Sequence, residues 1–156
     1  MPYIPHLNTI VLEIPKSGSS TLVKAASTLG PITHRGHLQA SAYGIHDARV
    51  VAVVRDPVDR LISALNYYYD PQPVDDVLRH ALRYRVGQVA FRPQEWFMDV
   101  DGIDVYPLER VADALSSIGY VGDIPRENAK RKWLTLGTAK KSKYWPTLCL
   151  STIYKL

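Results

Sequence analysis

Lys16 precedes Gly18 in the stretch LEIPKSGSSTLVKAA (Leu12–Ala26), in the company of Ser17, Ser19, Ser20 and Thr21. An apolar run leads into this segment and a helical pattern leads out, so it reads as strand, small-residue loop and helix start. Such a loop can cradle an anion: Gly18 allows close backbone approach, the hydroxyls supply donors, and the following helix points its N–H groups at the bound group. The ATP-type loop GxxxxGK[ST] puts its lysine after the last glycine, so that the side chain folds back over the phosphates. Here that order is reversed and the ATP pattern fails. The plainer alternative is a Ser/Gly turn with a solvated lysine. A second polar group follows the strongest strand pattern, ARVVAVVRDP, which delivers Arg55, with Ser63 eight residues later on the helix it feeds. Arginine offers a planar fork of donors and serine a hydroxyl, the makings of a second anion site; the alternative is an arginine ion-paired at a helix start.

These groups need a scaffold, and the pattern supplies one. The chain has 156 residues and is 46% hydrophobic, enough for one domain over residues 1–156 with a proper core. Short β-branched runs alternate with helical stretches, which predicts an α/β domain with a largely parallel sheet. NTIVLEI is the first strand, followed by a helix from Ser20 to Leu29, and PITHRGH holds a short second strand. Val50–Val54 is a continuous apolar run of the kind buried on both faces. Asp56-Pro57 reads as an N-cap with proline at the first helical position, opening a helix to Tyr69 on which Asp59, Ser63 and Asn66 share a polar strip. A further helix covers Val74–Val86. Asp104–Pro107 is a strand, and Glu109–Ile118 a helix with Leu108, Val111, Ala112, Leu115 and Ile118 on its core face. Gly122–Pro146 has weak periodicity and is expected to be loop with a little helix. In an open parallel sheet, ligands collect at the carboxyl ends of the strands, where Lys16–Thr21 and Arg55 both fall.

Composition narrows the function classes. The net charge is +4, and the stretch from Arg126 to Leu156 holds eight lysines and arginines against Glu127 alone, so that end should attract anions or form a solvated surface. No helix-turn-helix, finger or aromatic-rich sheet pattern points to nucleic acid. The single Cys149 excludes an internal disulfide and reads as a small buried hydrophobe in a reducing compartment. Cys/His metal spacing is absent, and no apolar run is long enough for a signal core or a membrane span.

Together, IPKSGSSTL and VVRDPVDRLISALNYYY resemble the paired nucleotide-binding signatures of the sulfotransferase family. Pro15–Ser20 matches the Pro-Lys-[Ser/Thr]-Gly-[Ser/Thr]-[Ser/Thr] loop, and Arg55 with Ser63 matches the second signature. RPQEWF (Arg92–Phe97), IDVYPLERV (Ile103–Val111) and IPRENA (Ile124–Ala129) resemble weaker blocks of carbohydrate-type members, in the same order. The resemblance implies a P-loop-like three-layer fold, with a mostly parallel central sheet flanked by helices. It also implies a sulfuryl donor, 3′-phosphoadenosine 5′-phosphosulfate (PAPS), with 3′,5′-adenosine bisphosphate (PAP) as product and no metal. Lys16 would stabilise the leaving phosphate oxygen; Ser17, Gly18, Ser19, Ser20 and Thr21 would hold the 5′-phosphate; Arg55 and Ser63 would hold the 3′-phosphate.

For the general base, His37 in THRGHLQA resembles the histidine of a Gly-His element in carbohydrate-acting members, with His34 and Glu13 as rivals. The acceptor would be a hydroxyl on a glycan or small molecule. Neither nucleic acid nor a membrane is expected as a partner, and a cytoplasmic bacterial or viral enzyme fits best. The chain departs from the family in being short, in lacking the Arg-Lys-Gly pattern near Lys130–Lys132, and in the small space for an acceptor subdomain before Val50. Two rivals stand beside this reading: a P-loop small-molecule kinase, and a non-catalytic module that binds the nucleotide or an anionic glycan.

Overall fold

The apolar run at Val50–Val54 does become a strand buried on both faces. The computed structural model describes residues 2–34, 36–86, 88–125 and 133–153. Its strands are β1 (Pro2–Ile4), β2 (Thr9–Leu12), β3 (Thr33–His34), β4 (Arg49–Val54) and β5 (Ile103–Pro107). Its helices are α1 (Ser19–Thr28), α2 (Pro57–Tyr68), α3 (Val74–Tyr84), α4 (Val111–Ser117), α5 (Leu136–Ala139) and α6 (Trp145–Thr152). No helix among the described residues is long and apolar enough to cross a membrane. Two compact units emerge, each built from two stretches of chain: Met1–Arg55 with Gln94–Asn128, and Asp56–Pro93 with Ala129–Leu156.

The first unit holds the sheet, in the order β3-β1-β2-β4-β5. β4 lies between β2 and β5 and runs parallel to both, with Ile10 opposite Val50 and Ala52 opposite Val105. β1 pairs antiparallel with β2 and β3. Four of the five strands therefore point the same way, an α/β arrangement with a mostly parallel sheet. Alternate residues of the strands build one packed face: Ile4, Val11, Val51 and Val53 meet Leu22, Ala25 and Ala26 of α1, Ala114 and Leu115 of α4, and Ile118 just after it. The intervening Ile10, Leu12, Val50 and Ala52 are buried as well, which is why this part of the sequence shows no alternation.

Two details of this unit differ from the sequence expectation. β1 was not foreseen, because a three-residue strand that begins on Pro2 and is followed by Pro5 carries no periodic signal. On the fourth helix Ala114 is buried and Ala112 exposed. Leu108 belongs to a 3-10 turn, Leu108–Arg110, that precedes the helix, and from Val111 the helical spacing i, i+3, i+4, i+7 runs through Ala114, Leu115 and Ile118.

The second unit packs α2, α3, α5 and α6 around Leu61, Leu65, Leu78, Phe91, Leu134 and Leu148. Asp56 caps α2 as its sequence context implies, accepting from the amides of Val58 and Asp59 at 3.0 and 2.9 Å. Asn66 does not join a solvent-facing polar strip. It is buried, donating to the carbonyls of Ile62 and Leu134 and accepting from the amides of Trp133 and Leu134, all at 2.9–3.0 Å. Arg60 is buried too, donating to the carbonyls of Ala90 and Arg92. Cys149 is only partly buried, and desolvation raises its thiol pKa despite the opposing charge of Lys140.

Asn66 is thus the polar pin between α2 and the chain entering α5. Replacing it with alanine strands the buried Leu134 amide and the partly buried Trp133 amide and should cost about 2–4 kcal/mol. Urea denaturation measures this; a loss below about 1 kcal/mol would show that water replaces the side chain.

Candidate functional site

The carboxyl ends of β2 and β4 are neighbours in the first unit, and the chain leaving each carries one of the sequence candidates. After β2 the backbone turns sharply, with the Ile14 amide donating to the Leu12 carbonyl at 3.2 Å and the Ser17 amide to the Ile14 carbonyl at 3.3 Å. Lys16 adopts φ +65° and Gly18 φ +81°. The left-handed region costs an ordinary residue about 1–2 kcal/mol, so the lysine is held there by its surroundings. At Gly18 two constraints coincide, since a Cβ would also stand 2.9 Å from Leu108 Cδ1. Gly18 is the N-cap of α1 and supplies no side-chain cap. The first turn of an α-helix presents N–H groups that have no intrahelical acceptor, and they face the loop before it.

The hydroxyls divide between two roles. Ser17 is 1% exposed and donates to Gln94 Oε1 at 3.1 Å. Thr21 donates to the Pro125 carbonyl at 2.8 Å. Both hydroxyl protons are committed to the frame of the loop. Ser20 is half-buried and Ser19 nearly buried, both in the first turn of α1.

Gln94 is the residue that sequence reasoning missed. Its Oε1 accepts from the Ser17 hydroxyl and from the Arg55 amide at 2.9 Å, and its Nε2 donates to the Arg55 carbonyl at 2.8 Å. One buried amide thus joins the Lys16 loop to the residue that follows β4. The RPQEWF block was its only trace, and nothing in that block announces a contact 77 residues back in the chain.

His37 and Glu13, rivals for the base in the sequence, are partners in space. His37 Nδ1 is 2.6 Å from the Glu13 carbonyl oxygen. A carbonyl can only accept, so Nδ1 carries the proton and Nε2 of the neutral ring holds the lone pair. The Glu13 carboxylate lies 3.7 Å from that Nε2, placed to pair with charge the ring gains on protonation. The segment after His37 is anchored by the Ala40 amide on the Phe97 carbonyl and by Ser41 on Asp99. Slight burial pushes the Asp99 carboxyl up, but the Ser41 hydroxyl and amide outweigh it and hold the group below its usual value.

His34 lies on β3. Ser63 is half-buried on α2 and belongs to the second unit. Asn128 and the basic cluster Lys130–Lys132 lie outside the described residues. Among the described residues there is no group of three metal-ligating side chains. No family model matches the chain, and no curated protein or solved structure is significantly similar to it.

If Gln94 braces the two strand ends, Gln94→Leu keeps the volume and leaves the Arg55 amide and carbonyl and the Ser17 hydroxyl without this partner. The expected loss of stability is about 2–4 kcal/mol, with hydrogen exchange accelerated at Arg55. Unchanged exchange at Arg55 would contradict the bracing role.

Proposed function

We propose that this chain is a PAPS-dependent sulfotransferase acting on a hydroxyl acceptor, a carbohydrate before a phenol or a protein. The observation that carries the reading is the joining of the Lys16–Thr21 loop to Arg55, at the ends of adjacent parallel strands, through Gln94. Two anion-seeking segments are thereby braced together where ligands of open α/β sheets bind. The P-loop-like three-layer fold is part of the same proposal, and a lone cysteine suits a reducing compartment such as the cytoplasm.

On this reading the first-turn amides of α1 bind the 5′-phosphate, with the helix dipole adding to the attraction. The motif assigns Arg55 to the 3′-phosphate, by its fork of donors. His37 Nε2 takes the proton of the acceptor hydroxyl as its oxygen bonds to sulfur. The bond from sulfur to the bridging phosphate oxygen breaks, and its electron pair leaves with PAP. Lys16 donates to that oxygen as negative charge grows on it, an interaction stronger in the transition state than in the ground state. Glu13 pairs with the imidazolium that forms.

A transfer assay with PAPS and a panel of glycan acceptors tests this. Lys16→Ala should lower turnover by about a hundredfold or more, while PAP affinity changes by less than about threefold. Equal losses in turnover and affinity would contradict the leaving-group role of Lys16, and no transfer from PAPS to any acceptor would contradict the activity.

A further inference from the structure

α6 (Trp145–Thr152) carries no charged residue anywhere around its circumference. A helix of that composition is usually buried on every side, but α6 is buried on one side only. Trp145, Leu148 and Thr152 are buried, and the helix packs on α3. The spacing i, i+4, i+7 gathers Pro146, Leu150 and Ile153 on another side. There Pro146 is exposed, Leu150 is 58% exposed and Ile153 is half-buried, with the exposed Thr147 and the half-buried Cys149 beside them. A single exposed leucine is ordinary; an exposed helix face without one charge is not.

The charge lies next to it. Lys140, Lys141 and Lys143 occupy the segment that joins α5 to α6, and all three are exposed. Burial pushes the Cys149 thiol up and the Lys140 charge pulls against it, which sets this ammonium near the Cys149 side of α6, next to Leu150. Lys143 Nζ sits over the Tyr144 ring at 5.2 Å. None of the three lysines has an ion pair among the described residues. The sequence from Asn128 to Leu156 holds no acid at all, and the second unit has twelve lysines and arginines against five acids.

We infer that this face rests on an anionic bilayer surface, with Leu150 and Pro146 entering the headgroup boundary and Lys140, Lys141 and Lys143 among the lipid headgroups. A bilayer answers both halves of the surface at once, because apolar side chains gain from its acyl boundary and each lysine gains from its negative potential. A nucleic acid would meet the lysines and leave Leu150 in water. A second copy of the chain would cover Leu150 but set lysine against lysine. No apolar span is needed for such a contact, so it revises the expectation of no membrane partner, which came from span length. It stands independently of the transferase reading, because its test reads binding alone.

The test is co-sedimentation of the intact protein, at millimolar lipid, with vesicles of phosphatidylcholine and phosphatidylserine in a ratio of about three to one. Pure phosphatidylcholine vesicles and oligothymidylate are the comparisons. The protein should pellet with the mixed vesicles, and added salt should release it. Lys140→Gln, Lys141→Gln and Lys143→Gln together should weaken that binding about a hundredfold, since each lysine contributes a factor of about five. Leu150→Ser should weaken it about tenfold, while Leu150→Met keeps it. All four side chains are exposed, so the variants should retain the wild-type circular dichroism spectrum. Equal binding to the uncharged vesicles, binding to neither, undiminished binding of Leu150→Ser, tighter binding of oligothymidylate, or a Leu150-dependent dimer without lipid would each overturn the proposal.

Discussion

The first unit depends on how two parallel strands end. Within β2 and β4 the ladder satisfies the backbone as far as Leu12 opposite Ala52. Beyond that pair the chains part, one into the Lys16 loop and the other into the partly buried Arg55, and backbone groups shielded from water cannot be left unmade without a cost of about 1–3 kcal/mol each. The Gln94 amide takes over where the ladder stops. It presents a carbonyl and an N–H side by side, as a strand would, to the N–H and C=O of Arg55, and its oxygen also receives the Ser17 hydroxyl. A side chain of this one shape does the work of an additional strand residue. Neither glutamate nor leucine offers both groups.

That brace explains how the loop can hold unfavourable backbone. With Ser17 fixed on Gln94 and Thr21 fixed on the Pro125 carbonyl, both sides of the turn are tied down. Lys16 is kept in the left-handed region, and Gly18 sits where its φ disfavours any side chain and a Cβ would push the end of Leu108 aside. The result is a helix start whose N-cap glycine brings no side-chain cap, an end that attracts an anion through its N–H groups and dipole. On the other side of the loop, the Glu13 backbone sets the tautomer of His37 while the Glu13 side chain faces its second nitrogen.

Much of this was legible in the sequence wherever a local rule governs. The apolar run at Val50–Val54, the Asp56-Pro57 helix start and the Lys16–Thr21 loop each follow from residues adjacent in the chain. What escaped depends on partners far away in sequence. Gln94 reads as an ordinary polar residue until Ser17 and Arg55 are beside it, and Asn66 reads as part of a polar strip until Trp133 and Leu134 bring it two amides. The Glu13–His37 pairing spans 24 residues, so two contacting groups look like competitors. The exchange of Ala112 for Ala114 at the core has a different origin: Leu108 lies in a 3-10 turn before the helix, so the helical spacing starts at Val111.

The central claim is that the first unit's loop and Arg55 belong to a donor site for a doubly phosphorylated adenosine. Calorimetric titration of the wild-type protein with PAP, AMP and Mg-ATP tests it most directly. The account predicts that PAP binds at least about a hundredfold more tightly than AMP, a difference near 2.7 kcal/mol, and that Mg-ATP gains no such advantage. Equal affinity for PAP and AMP, or a preference for Mg-ATP, would contradict it.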